Sequence, residues 1–274
     1  MTDATAARAG EQAPAPRFPA GTFTPRGGAA PLAAMLAAQT RLELRLLLRN
    51  GEQLLLTMFI PITLLIGLCL LPLDTDLGSS TAERAATFVP AIMTVAVMST
   101  AFTGQAIAVG FDRRYGALKR LGATPIPRWG IIVGKSLAVV AVVVMQSVII
   151  GAIGAAFGWR PSVLGLVIGA LVIAIGTATF SALGLLLGGT LKAEIVLALG
   201  NLLWFAMVGV GSVVVMASRI PDAMWWVARC IPSGALTEAL ERATRGEFDV
   251  FGVVVLLVWA AVAGACAIRW FRFE

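Results

Sequence analysis

Six stretches of this chain run on with almost no ionisable side chain, at about Leu54–Leu71, Ala85–Gly110, Trp129–Phe157, Ser162–Gly189, Ile195–Ala217 and Val250–Ile268. A helix rises about 1.5 Å per residue, so runs of this size can cross the ~30 Å hydrocarbon core of a bilayer. Lipid offers no hydrogen bonds to an open backbone, so each run must satisfy its own N–H and C=O groups as a helix. Pro61 inside the first run marks an expected kink. Composition points the same way: 58% of residues are hydrophobic and 13% charged, where a soluble domain carries about 45–50% and about 25%. The expected fold is an all-α polytopic membrane protein with six transmembrane helices.

The segments around the spans add detail. Residues 1–30 are rich in Ala, Pro, Gly and Thr. They read as a disordered cytoplasmic tail without the apolar core of a secretion signal. In 31–50, Leu32, Met35, Leu42 and Leu46 fall on one side at helical spacing and Arg41 and Arg45 on the other. This predicts an amphipathic interfacial helix leading into the first span. The domain of six spans then occupies 51–274. Before the last span, Trp225 and Trp226 suit the headgroup level, and Pro232 divides the segment into two short helices, with Ser233 as the expected cap of the second. A short re-entrant helical pair is the expectation there.

Charge orients the chain. Phe111 to Lys135, FDRRYGALKRLGATPIPRWGIIVGK, carries Arg113, Arg114, Lys119, Arg120, Arg128 and Lys135 against the single acid Asp112. With the tail inside, fifteen Lys and Arg fall on the inner side and six on the outer, which places both termini in the cytoplasm of a multi-pass protein of the cell membrane. The net charge of +6 therefore belongs to topology and anionic lipid headgroups, not to nucleic acid. There is no His, the three Cys are far apart, and no GxxxxGK[ST] loop occurs. Metal binding, familiar acid–base catalysis and ATP hydrolysis within this chain are not expected. No Asp, Glu, Lys or Arg is expected deep in a span, which argues against an ion-coupled carrier. Gln105, Gln146 and Asn201, with Thr63 and Ser99 behind them, are the polar side chains that could line a substrate path. Interhelical hydrogen bonding is the alternative for the first three. The pairs Gly154/Gly158, Gly165/Gly169 and Gly184/Gly188 predict close helix packing.

Two stretches, 111–135 and IPDAMWWVARCIPSGALTEALERATRG at 220–246, resemble membrane subunits of ABC-2 type transporters, particularly daunorubicin-resistance-like exporter permeases. The likeness covers about 31–270, with Asp112 where the family usually has Glu. It implies two permeases per transporter, a second copy or a paralogue facing each other through spans one and five. It also implies two ATP-binding ABC subunits that carry the ATP and Mg, with no cofactor in this chain, and a coupling helix at 111–122. In such a helix Tyr115, Leu118 and Leu121 would form an apolar docking key on one stripe. Asp112, Arg113, Arg114, Lys119 and Arg120 would orient it, and Gly116 would permit close approach. The function expected is an ATP-driven exporter permease for a hydrophobic or amphipathic, drug-like compound. The alternatives are a lipid or glycolipid exporter of the same architecture, or a non-ABC assembly factor or integral enzyme.

Overall fold

The computed structural model describes residues 30–71, 80–216 and 220–272; apart from Ala30, the tail of residues 1–30 lies outside them. Among the described residues all regular structure is helical. Helix α1 (Leu32–Arg49) leads into α2 (Gly51–Leu70). Helix α3 (Thr81–Val97), a π-helical segment Met98–Gly104 and α4 (Gln105–Arg114) form one 34-residue rod. Then come α5 (Ala117–Gly122), α6 (Arg128–Ala156), α7 (Val163–Thr190), α8 (Ala193–Val215), α9 (Asp222–Arg229), α10 (Pro232–Thr244) and α11 (Val250–Trp270). Six of these rods (α2, α3–α4, α6, α7, α8 and α11) are long and apolar enough to cross a membrane. The chain is a multi-pass membrane protein. The end that carries α1 and α5 is here the base, and the end that carries α9 and α10 the crown.

Local chemistry sets the helix boundaries. Ser80 and Glu83 close a capping box at the start of α3, Asn50 accepts from the Gln53 N–H at 3.2 Å, and Ser162 accepts from the Gly165 N–H at 3.0 Å. Span one runs unbroken through Pro61. Span two extends past the expected Ala85–Gly110 because the helix continues through Asp112, Arg113 and Arg114. Hydropathy falls where those charges begin, but the backbone hydrogen bonding does not. Pro232 occupies the first position of α10, where its missing N–H costs nothing. Ser233 makes no cap bond, contrary to expectation: Ile231 is the N-cap, and the Ser233 hydroxyl is buried with no hydrogen-bond partner among the described residues.

Burial divides the spans. In the most apolar window of span two, 78% of the residues are buried; in spans one and five the figures are 22% and 17%. The α3–α4 rod is therefore the axis of the bundle, and α2 and α8 present open apolar sides. Residues 232–240 of α10 are all buried, packed among α3, α7, α8 and α11. The rods approach closely at Gly184 and Gly188 of α7. A Cβ at Gly184 would lie 2.8 Å from the carbonyl oxygens of Ala101 and Phe102, and one at Gly188 would strike Ala106. These glycines serve packing within the chain.

Helix α1 differs from a simple amphipathic lead-in. Its inward stripe is Gln39 and Glu43, packed on α6, while Leu42, Leu46 and Leu48 are exposed on the flanks. Polar atoms thus lie at the centre of the inward face, Leu47 packs beside them on the core, and Leu42, Leu46 and Leu48 face outward.

Candidate functional site

The base is built around the turn between α4 and α5. Helix α4 ends at Arg114, with Tyr115 as its cap, and Gly116 takes φ +68°, a left-handed conformation that L side chains rarely adopt. Nothing lies within 4 Å of where a Gly116 side chain would begin, so within the chain the backbone turn, not close approach, calls for glycine. After α5, the Thr124 hydroxyl donates to the Leu121 carbonyl at 2.6 Å, and Pro127 caps α6. The segment expected to be one helix at 111–122 is thus the end of a spanning helix, a glycine turn and a six-residue helix.

This geometry separates the proposed docking residues. Leu118 is 1% exposed and packs with Val109, Ile131 and Leu185, with Leu121, Ile126, Ile132 and Phe271 around them. Leu118 cannot serve as a free apolar key, because its side chain faces the bundle; this corrects the expectation of a Tyr115, Leu118 and Leu121 key. Tyr115 is 67% exposed and stacks on Phe111 with centroids 5.9 Å apart, while the Arg114 guanidinium sits 6.0 Å and 5.9 Å from the two rings. Lys119 and Arg120 are exposed, and Arg120 Nη2 donates to the Tyr115 carbonyl at 3.2 Å. The outward set is therefore Arg114, Tyr115, Lys119 and Arg120.

Asp112 and Arg113 face inward. Arg113 Nη1 donates to the carbonyls of Gly188 and Leu191, each at 3.0 Å, satisfying carbonyl groups at the end of α7. Arg114 pairs with Glu194 at the start of α8. Asp112 Oδ2 accepts from Lys135 Nζ at 2.6 Å, and the same ammonium donates to Glu43 Oε2 at 2.8 Å. Gln39 Nε2 then donates to Glu43 Oε1 at 2.8 Å. One cation on α6 thus ties α1 and α4 together. The side chains of Lys135 and Glu43 are each 8% exposed and that of Asp112 is 33% exposed. In sequence, Lys135 reads as one of the loop cations. Its signal was its place, seven residues inside an apolar helix, where a lone charge needs a partner. Glu43, an acid in an arginine-bearing helix, carries no comparable signal in the sequence.

The three candidate path residues do not converge. Gln146 is buried between spans, accepting from the Thr100 hydroxyl at 2.9 Å and donating to the Thr57 carbonyl at 3.0 Å. Gln105 is 4% exposed, and its Nε2 lies 3.5 Å from Ser136 Oγ. Asn201 is exposed and lines a crevice of about 610 Å³ between α2, the π segment, α4 and α8. That crevice is mainly apolar, with Gln53, Thr57, Ser99 and Trp204 among its lining; Trp204 Nε1 donates to Ser99 Oγ at 3.1 Å.

The six spans, the α4–α5 turn at the base and the short helix α9 followed by the buried α10 at the crown are the parts of a membrane permease. Residues 36–243 match the sequence profile of the family described as ABC-2 type transporter, and the chain belongs to that family. No curated protein matches it in sequence.

Proposed function

We propose that this chain is the permease half of a daunorubicin-resistance-like ABC exporter, with its base in the cytoplasm and both termini on that side. Two permeases, identical or paralogous, would face each other through α2 and α8, the spans with the most open sides. Two ATP-binding subunits would dock at the bases and hold the ATP and Mg, so that hydrolysis occurs outside this chain. The observation that carries this reading is the cationic patch of Arg114, Tyr115, Lys119 and Arg120, set on a turn whose inner side is anchored by Leu118. Such a patch suits an acidic cleft on the partner.

The base gives the coupling a route. Movement of α5 is passed through the Leu118 cluster to α4, α6 and α7, and through Lys135 to α1. Span two carries a π segment facing the crevice, a form often found where helices yield. Bending there would open or close the crevice between α2 and α8. Its apolar walls suit a hydrophobic or amphipathic compound of drug-like size. A lipid or glycolipid cargo fits the same walls. ATPase rates of the reconstituted complex on a panel of lipophilic drugs and a panel of lipids separate the two. Stimulation by the drugs supports the reading, and stimulation by lipids alone replaces it.

A further inference from the structure

A second groove, of about 530 Å³ and sharing no lining residue with the crevice, runs between α6 and α7, backed by α3 and α10. Its walls are apolar: Met93, Val148, Gly151, Gly169, Ile173 and Leu240. It stretches along α6 from Val144 to Ala155, about 16 Å at 1.5 Å per residue. That is close to the ~15 Å depth of one leaflet's hydrocarbon. The mouth is flanked by the exposed side chains of Val148 and Leu166.

At its crown end stands Arg160, in the short connection between the two helices. Its Nη1 donates to the carbonyls of Ala155 and Trp159, the second at 3.1 Å, which holds the guanidinium at the groove's edge. No carboxylate pairs with it among the described residues. The nearby Arg242 and Arg245 are paired with Glu238 and Glu241, so Arg160 is the uncompensated charge here. An apolar slot one leaflet deep under an unpaired cation matches a single molecule: a phospholipid with a net negative headgroup.

We propose that the α6–α7 groove holds one anionic phospholipid of the crown-side leaflet, an acyl chain in the slot and its phosphate at Arg160. The lipid wedges the crown ends of α6 and α7 at a fixed separation. It is a resident component of the permease, distinct from any cargo in the α2–α8 crevice.

The test is native mass spectrometry of the purified full-length chain, titrated with phosphatidylglycerol or phosphatidylcholine. The expected result is one retained phosphatidylglycerol per chain, with about fivefold or greater preference over phosphatidylcholine for the one added charge contact. Arg160→Gln is expected to remove the preference and Arg160→Lys to keep it. Gly169→Leu, at a position where a Cβ has its nearest neighbour 4.0 Å away, is expected to abolish retention of both lipids by filling the slot. Both Arg160→Gln and Gly169→Leu are expected to elute as the wild type does, which guards against misfolding as the cause. Equal retention of the two lipids by the wild-type chain, or full phosphatidylglycerol retention by both Arg160→Gln and Gly169→Leu, overturns the proposal. So does loss of self-association without loss of lipid in Gly169→Leu, which would assign the groove to a second copy.

Discussion

At the base, Lys135 shares two carboxylates, Glu43 and Asp112, drawn from two other helices. At the crown, Arg229 holds one carboxylate, Asp249, through Nη2 at 2.7 Å and 2.5 Å from its two oxygens. The crown pair is closed: both side chains are 3% exposed, and the guanidinium lies 4.8 Å from the centroids of Trp225 and Phe251 and 5.5 Å from that of Trp226. The base network carries a spare negative charge and has one arm at the surface. A balanced, caged pair fixes geometry; it pins α9 to the start of the last span. An unbalanced network with an open arm can exchange partners, which suits the end of the molecule proposed to answer to another subunit.

Substitutions at the two ends separate these roles. The largest effect is expected for Arg229→Ala, which strands Asp249 in the crown and costs about 3–5 kcal/mol, read as lost folded yield or a lower unfolding temperature. Arg229→Met with Asp249→Leu is expected to recover much of that loss, because no buried charge remains unpaired. Lys135→Met strands Glu43 but leaves Asp112 half open, so the loss is expected to reach no more than about 3 kcal/mol. Hydrogen exchange is expected to rise first in α1. The contrast is sharpest between the acids: Glu43→Gln still leaves Lys135 with Asp112 and is expected to cost about 1 kcal/mol or less, whereas Asp249→Asn costs several times that. Equal losses for these two variants would erase the distinction between the ends.

The smallest effect is a pH dependence at the crown. Burial, helped by Glu238, pushes the Glu241 carboxyl above the ordinary carboxylate range, although Arg245 and Arg242 pull it down. A carboxyl whose folded pKa is raised favours the fold while protonated, and that contribution is lost as pH rises above about 4.5. Glu241→Gln is expected to remove this decline, so its advantage in unfolding temperature over wild type grows with pH through that window.

Much of this architecture is legible in the sequence. The six spans follow from run length alone, and the division at Pro232 from its missing N–H. What escapes is whatever depends on partners far along the chain. Lys135 and Glu43 are 92 residues apart, and no local pattern joins them. Leu118 looked like a docking key because its spacing with Tyr115 and Leu121 is helical. Periodicity marks a stripe without saying whether the stripe faces a partner or the bundle, and the turn at Gly116 aims Leu118 inward. Gln146 and Asn201 are equally polar in sequence. Only the packing shows that one stitches three spans together while the other opens onto the crevice.

The central claim is that the exposed face of the α4–α5 turn is where another subunit drives this permease. Co-purification of the tagged chain with its ATP-binding subunit, as wild type and with Lys119→Glu and Arg120→Glu together, tests it most directly. Both side chains are exposed, so the variant is expected to keep the fold and elution profile of the wild type while losing the bound ATPase or its stimulation. A wild type that brings down no ATPase, or a double variant that retains the full complement at full activity, would contradict the account.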